Sequence, residues 1–470
     1  MKHFNVKLTT LKSKLYAIVF ASFVVRVVAF FALPNTPSSL GPDEGTYARA
    51  ANWTALGKSA TDFPDFGAGL YVSGRSLLLP AAFFNNLGFN QLNSVRLTAS
   101  LYGFMTICVA TVVILKTASK NEWFAQFIKT CPKIFLSLFL TFTFLPSHFL
   151  WSSLGLRESS TEFWTLSLFA SLFLLLQANE RIPLLLTCGF LVSIVMVFSA
   201  RPQVGWVLSL SVILSLFSKI KHRVARILIL ITILGVTLGY ITTFDTSYTL
   251  KRTFSALDVT TDTSGEFDAN KKCSLDGEKI QINGTEYACI LKIEKVFSKH
   301  LKNPVLVLVD QVDSIPYHHE VNKLDAESII QTQFCPFAGV SQFNGYICLA
   351  YRAPYTTFTF LFRPLYGIDA TSAHVLFAAT ENILWLAAVL YVIIMFIRNR
   401  RLAFFSSLVP SLVFFLIYSV FAGAYEGNMG TAFRHKSLIL WVVLLLIAST
   451  IVATQQRKAE QGGISGSSKE

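Results

Sequence analysis

The chain has 470 residues, of which 53% are hydrophobic and only 14% charged, and its mean hydropathy is +0.53. A soluble protein of this length carries more charge and fewer long apolar runs. The net charge of +13 would suit nucleic acid, but the basic residues concentrate in short segments between apolar runs, which argues against a basic binding face and reads as the positive-inside bias of a membrane protein.

In chain order, the first element is a span. Lys2, Lys7, Lys12 and Lys14 precede an apolar run from Leu15 to Leu33. That resembles a signal peptide, but the run is long for one and no small-x-small cleavage site follows it cleanly, which predicts a retained span with its N-terminus inside. About ten transmembrane helices are expected, over 15–33, 94–115, 134–150, 162–178, 182–199, 203–218, 226–243, 371–397, 402–421 and 437–454. Their cytoplasmic segments are 1–14, 116–133, 179–181, 219–226, 398–401 and 455–470. These hold 19 Lys/Arg against 4 Asp/Glu, and the rest of the chain holds 21 against 23. Both termini are then cytoplasmic, in an inner or plasma membrane.

The expected fold class is an all-α polytopic membrane protein with a small extracytoplasmic insertion domain. Residues 1–243 carry spans one to seven and an outer loop, 34–93. Within that loop, "GRSLLLPAAFFNNLG" is apolar but short and is expected along the membrane interface. Residues 244–353 form the insertion. Residues 354–454 carry spans eight to ten after "TTFTFLFRPLYGIDA", where Arg363-Pro364 and Gly367 suggest a re-entrant helix. The tail 455–470 is polar and Gly/Ser-rich, so disorder is expected. Cys273, Cys289, Cys335 and Cys348 all fall in the insertion. Two disulfides are the expectation on an oxidising face. Nesting favours 273–289 with 335–348, although three pairings exist, and a zinc site is the alternative.

Ionisable residues at membrane depth are functional candidates. Asp43 and Glu44 stand at a helix start, in "GPDEGTYARAANW", where acids also serve the helix dipole. Arg157 and Glu158 lie on the turn between spans three and four, and Arg201 lies on the next outer turn. Arg363 lies on the re-entrant segment, and Glu426, Arg434, His435 and Lys436 on the last outer loop. His374 opens the eighth span. Arg26 lies inside the first span, where burial cost makes Glu381 a candidate partner. His318, His319 and Glu320 fit a solvated loop better than a metal site. No Walker A, GxGxxG, GxSxG or HExxH motif occurs, so ATP hydrolysis and soluble-type catalysis have no support.

The stretch "GPDEGTYARAANW", with Asp43 and Glu44 as an acidic pair followed by Tyr47 and Ala48, resembles the first outer loop of the GT-C class of polytopic glycosyltransferases. That class includes protein O-mannosyltransferases and aminoarabinose transferases. Arg26 in the preceding span strengthens the resemblance, which covers about residues 20–57 in detail and the rest in architecture only. The resemblance implies a GT-C-like bundle. It implies transfer of a sugar from a polyprenyl-phosphate donor to a glycan, lipid or protein acceptor outside the membrane. Asp43 is then the candidate base and Glu44 its support, both counted as catalytic.

The chemistry asks for the same groups. A carboxylate must take the acceptor hydroxyl's proton, and the leaving phosphate needs cationic partners. Arg201, Arg434, Arg157, Arg363 and Arg26 are the candidates for that phosphate. Arg201 and Arg434 lead, because Arg157 can pair with Glu158. Glu158, Tyr47, His374, Glu426 and His435 are acceptor or supporting candidates. No cofactor is fixed by the sequence, and Arg, Lys or a divalent metal could each serve the phosphate. A surface-polysaccharide polymerase using diphosphate-linked oligosaccharides is the rival enzyme. A lipid-linked-sugar transporter is the non-enzymatic rival, disfavoured by the lack of an internal repeat.

Overall fold

The computed structural model describes residues 2–36, 43–58, 74–120, 122–176, 184–219, 279–282, 285–296, 299–308, 353–354, 357–364, 373–398, 409–425 and 433–464. The chain divides into two compact units. The first is Met1–Asp245, Ala388–Tyr418 and Ser437–Glu470; the second is Thr246–Ala387 and Ser419–Lys436.

The helices in order are α1 (Lys2–Ala32), α2 (Glu44–Ala55), α3 (Arg75–Asn86), α4 (Gln91–Lys120), α5 (Glu122–Thr130), α6 (Pro132–Phe144), α7 (Pro146–Trp151), α8 (Glu158–Leu176), α9 (Leu184–Ala200) and α10 (Pro202–Lys219). They continue with α11 (Ala373–Arg398), α12 (Val409–Tyr425) and α13 (Ser437–Ile464). Among the described residues, five helical stretches are long and apolar enough to cross a membrane: Leu11–Ala32, Gln91–Ser119, Pro132–Trp151, Leu376–Met395 and Ser437–Thr454. Leu184–Ala200, Pro202–Ile213 and Pro410–Gly423 are apolar but shorter. The protein is therefore a helical membrane protein. The expected span 226–243 lies outside the described residues.

Between α10 and α11, within the expected insertion, three strands form an antiparallel meander. These are β1 (Lys279–Ile282), β2 (Thr285–Val296) and β3 (Lys299–Leu308), in the order β1-β2-β3. Their sequences are rich in Ile, Val and Leu, and the β-branched residues among these suit a pleated surface. The β2–β3 register runs from Tyr287 opposite Leu308 to Val296 opposite Lys299 and puts Cys289 opposite Leu306. Cys273, Cys335 and Cys348 lie outside the described residues.

Local chemistry explains where two helices differ from the expectation. The third span, read as one run over 134–150, is two helices meeting at Leu145 (φ −55, ψ 126). Pro146 lacks an N–H and drives its predecessor out of the α region. The tail was expected to be disordered from 455, but α13 continues to Ile464. Gln, Arg, Lys, Ala and Glu are good helix formers, and the span supplies the costly nucleus.

In the first unit α4 is the central post. It packs against α1, α2, α3 and α8; α8 packs on α9, and α13 closes against α5, α6 and α8. Phe169 of α8 meets Phe414 and Trp441 with ring centres 5.3 and 5.1 Å apart. On α1, Phe20, Val28 and Phe31 stay exposed, as a lipid-facing surface requires. Helix α3 buries Ser76, Leu77, Leu78, Ala81 and Ala82 and leaves Leu79, Phe83 and, at its C-cap, Leu87 exposed. The exposed three repeat every four residues, so they form one apolar stripe.

Candidate functional site

Helix α2 begins at Asp43, whose carbonyl accepts the N–H groups of Thr46 and Tyr47 at 3.1 and 3.0 Å. The Asp43 side chain makes no capping hydrogen bond and is exposed. The helix ends at Gly57, where φ is +70, a conformation that glycine adopts without penalty. Between these ends Ala48, Ala50 and Ala51 are buried, and side chains this small let neighbouring helices approach closely.

Glu44, next in sequence, has a different environment. Its Oε1 accepts Arg96 Nε at 2.7 Å and its Oε2 accepts Arg96 Nη2 at 2.8 Å, with both side chains fully buried. Oε1 also accepts the Gly155 N–H at 2.9 Å. Arg96 donates further to the carbonyls of Pro34 at 2.6 Å and Thr36 at 3.0 Å. One forked pair therefore ties together the segment after α1, the start of α2, the start of α4 and the turn before α8. Glu44, expected beside Asp43 as a catalytic group, sits in a fully buried ion pair that positions the helix start. Arg96 was not singled out from sequence. Its signal was available, as an arginine at the head of a span.

Gly155 is required where it sits. A Cβ there would lie 2.4 Å from Val95 Cγ2 and 3.3 Å from Glu44 Cγ, so no larger residue lets the turn approach α4 and α2. That turn runs straight into Arg157, whose carbonyl accepts the Thr161 N–H at 3.0 Å and the Ser160 and Thr161 hydroxyls at 2.9 Å.

Four of the expected residues lie within electrostatic reach of a fifth, Tyr47. Its side chain is buried, and burial pushes its hydroxyl above the usual tyrosine value of 10.0; Arg157, Glu158, Asp43 and Arg201 all act on it electrostatically. The two arginines oppose the shift, and the two acids add to it. Arg201 stands just before α10, its carbonyl accepting the Gly205 N–H at 3.0 Å, and its Nη2 lies 3.4 Å from Glu158 Oε1. Glu158 thus pairs with Arg201 across two helix starts.

Arg26 occupies a second cluster. It donates to the Ser22 hydroxyl and to Ser152 Oγ at 3.0 Å, and lies 5.3 Å from the Phe149 ring centre. Glu162 is an acid within its electrostatic reach. Glu162 Oε1 is 2.7 Å from His148 Nε2. Both clusters hang on one turn, Ser152 serving Arg26 and Gly155 serving Glu44.

In the second unit, Lys436 donates to the Arg363 carbonyl at 2.6 Å and to Asn382 Oδ1 at 2.7 Å, and Asn382 donates to the Pro364 carbonyl at 3.0 Å. The Lys436 ammonium is buried, which lowers it to about 7 despite the opposing influence of Glu381. Arg434 and His435 are buried beside it in sequence. Glu426 and the side chain of His374 lie outside the described residues. Among the described residues no three of His, Cys, Asp and Glu gather to hold a metal ion.

No protein-family model matches this chain, and no curated protein or solved structure matches it either.

Proposed function

We propose that the chain is an inverting glycosyltransferase of GT-C type, which moves a sugar from a polyprenyl-phosphate donor to a glycan, lipid or protein acceptor at the outer membrane surface. The observation that carries this reading is that Asp43, Arg157, Glu158 and Arg201 all lie within electrostatic reach of the buried Tyr47. The reaction needs an accessible carboxylate and cations opposite it, and this cluster supplies both. Asp43 is exposed at a rigid helix start and not used as a cap, so it is the group we assign as base. It takes the acceptor hydroxyl's proton as the oxygen attacks the anomeric carbon and the donor phosphate departs. Arg157 and Arg201 receive that phosphate, with Glu158 orienting Arg201. Tyr47 stays protonated and is available as a donor. Glu44 and Arg96 fix the positions of these groups.

The test is transfer by the purified chain in lipid nanodiscs, offered radiolabelled polyprenyl-phosphate sugars and, in parallel, diphosphate-linked oligosaccharides. Product from the monophosphate donors, with inverted anomeric configuration, is expected. Asp43→Asn should abolish it with folding intact, and Arg201→Ala should weaken donor binding about tenfold, as loss of a charge-assisted contact does. Turnover near wild type in Asp43→Asn would remove Asp43 as base. Product from the diphosphate donors alone would replace this reading with the polymerase.

A further inference from the structure

At the far end of α2, away from Asp43, a cavity of about 630 Å³ opens between the ends of α2 and α3 and the start of α4. Its polar lining is six carboxamides: Asn35, Asn52, Asn85, Asn86, Asn90 and Gln91. Among the described residues no ionisable side chain lines it. Leu56 and Phe89 form its apolar part, and both are exposed. The volume lies within the usual range for small-molecule sites.

Some of these carboxamides build the walls. Asn85 Nδ2 donates to Asn52 Oδ1 at 3.4 Å, Ser94 Oγ donates to Asn85 Oδ1 at 3.0 Å, and Asn90 Oδ1 accepts the Asn93 N–H at 2.7 Å. These bonds join the helix ends and hold the cleft open. The side chains of Asn35, Asn86 and Gln91 make no hydrogen bond among the described residues. A carboxamide offers two donors and an acceptor side by side. That matches hydroxyl groups, each of which donates and accepts. A charged ligand would require an opposite charge, which the lining lacks among the described residues.

We infer that this cleft binds a neutral, hydroxyl-rich glycan, its hydroxyls on the carboxamides and an apolar sugar face against Phe89. Asn52 is nine residues along α2 from Asp43, about 14 Å at helical rise. The role as an acceptor subsite, holding the glycan some way from the reacting hydroxyl, rests on the proposed transferase reading; glycan binding itself does not.

The experiment uses the full chain in nanodiscs, titrated with a panel of neutral hexose oligosaccharides and a matched panel of uronic-acid oligosaccharides. Saturable binding of neutral members, with weaker or no binding of the acidic panel, is expected. The double variant Asn86→Ala with Gln91→Ala removes exposed side chains without intramolecular hydrogen bonds. It should keep the thermal midpoint and lose affinity about tenfold or more. Leu56→Trp, which narrows the cleft without altering a carboxamide, should give a comparable loss. Asp43→Asn should bind as wild type, so loss of transfer and loss of glycan binding are read separately. Failure of every neutral oligosaccharide to bind, equal or tighter binding of the acidic panel, or wild-type affinity in the double variant would overturn the assignment.

Discussion

Replacing Glu44 by Gln tests the clamp on which the candidate site depends. The substitution keeps shape and removes charge, leaving the Arg96 guanidinium fully buried with neutral partners only. Two charge-assisted hydrogen bonds, at 2.7 and 2.8 Å, lose their anionic acceptor. Removing one member of a buried pair costs about 3–5 kcal/mol, because the surviving charge keeps its desolvation penalty. Arg96→Met should cost a similar amount by stranding the carboxylate, which retains the Gly155 N–H. The double variant should be more stable than the sum of the singles implies, since no buried charge remains, with a coupling of about 1–3 kcal/mol. The assay is equilibrium denaturation of the four proteins in one detergent, run as a double-mutant cycle. Single-variant losses below about 1 kcal/mol, or strict additivity, would refute the view that this pair carries the local architecture. Under the transferase proposal, Glu44→Gln loses activity together with stability, whereas Asp43→Asn loses activity alone.

Three further predictions concern single positions. Gly155→Ala should destabilise by about 1–3 kcal/mol through overpacking against Val95; addition of Val95→Ala should recover part of the loss in the same denaturation assay. Tyr47 has a hydroxyl raised above 10.0 by burial, so the folded protein holds its proton more tightly than the unfolded chain. Its contribution is fully present below pH 10 and is lost as pH rises through the folded value; Tyr47→Phe should flatten the alkaline limb of the stability profile, and an unchanged limb would count against the shift. Lys436, lowered by burial from 10.5 to about 7, has the opposite sign: the unfolded chain binds more protons between these values, so stability rises with pH from about 7 to 10.5. Lys436→Met should remove that rise while costing the bonds to Arg363 and Asn382, and a rise that persists would assign the pH dependence to another group.

Much of the helical plan was legible from hydropathy alone. The run expected at 94–115 is the heart of α4, and 437–454 is the membrane-long part of α13. Apolar length is a property of consecutive residues, so a linear reading recovers it. Pro146 was visible too, but its effect on the third span depended on the conformation of Leu145.

The same linear reading placed Asp43, Tyr47, Arg157, Glu158 and Arg201 among the candidates, because charged and polar groups at the ends of apolar runs are costly without a reason. Residue chemistry and membrane depth supplied the arginines and Glu158, and the resemblance of the stretch at 41–53 supplied Tyr47 and the weight on Asp43. Their partners were another matter. Asp43 and Glu44 are neighbours in sequence, yet consecutive helical positions turn by about 100°, so one is exposed and the other is buried against α4. Arg96 lies 52 residues from Glu44, and Arg201 lies 43 from Glu158. Neither distance leaves a local trace in the pattern of residues. Which carboxylate becomes a buried strut and which stays exposed was decided only when α4 and the turn at Gly155 closed on α2.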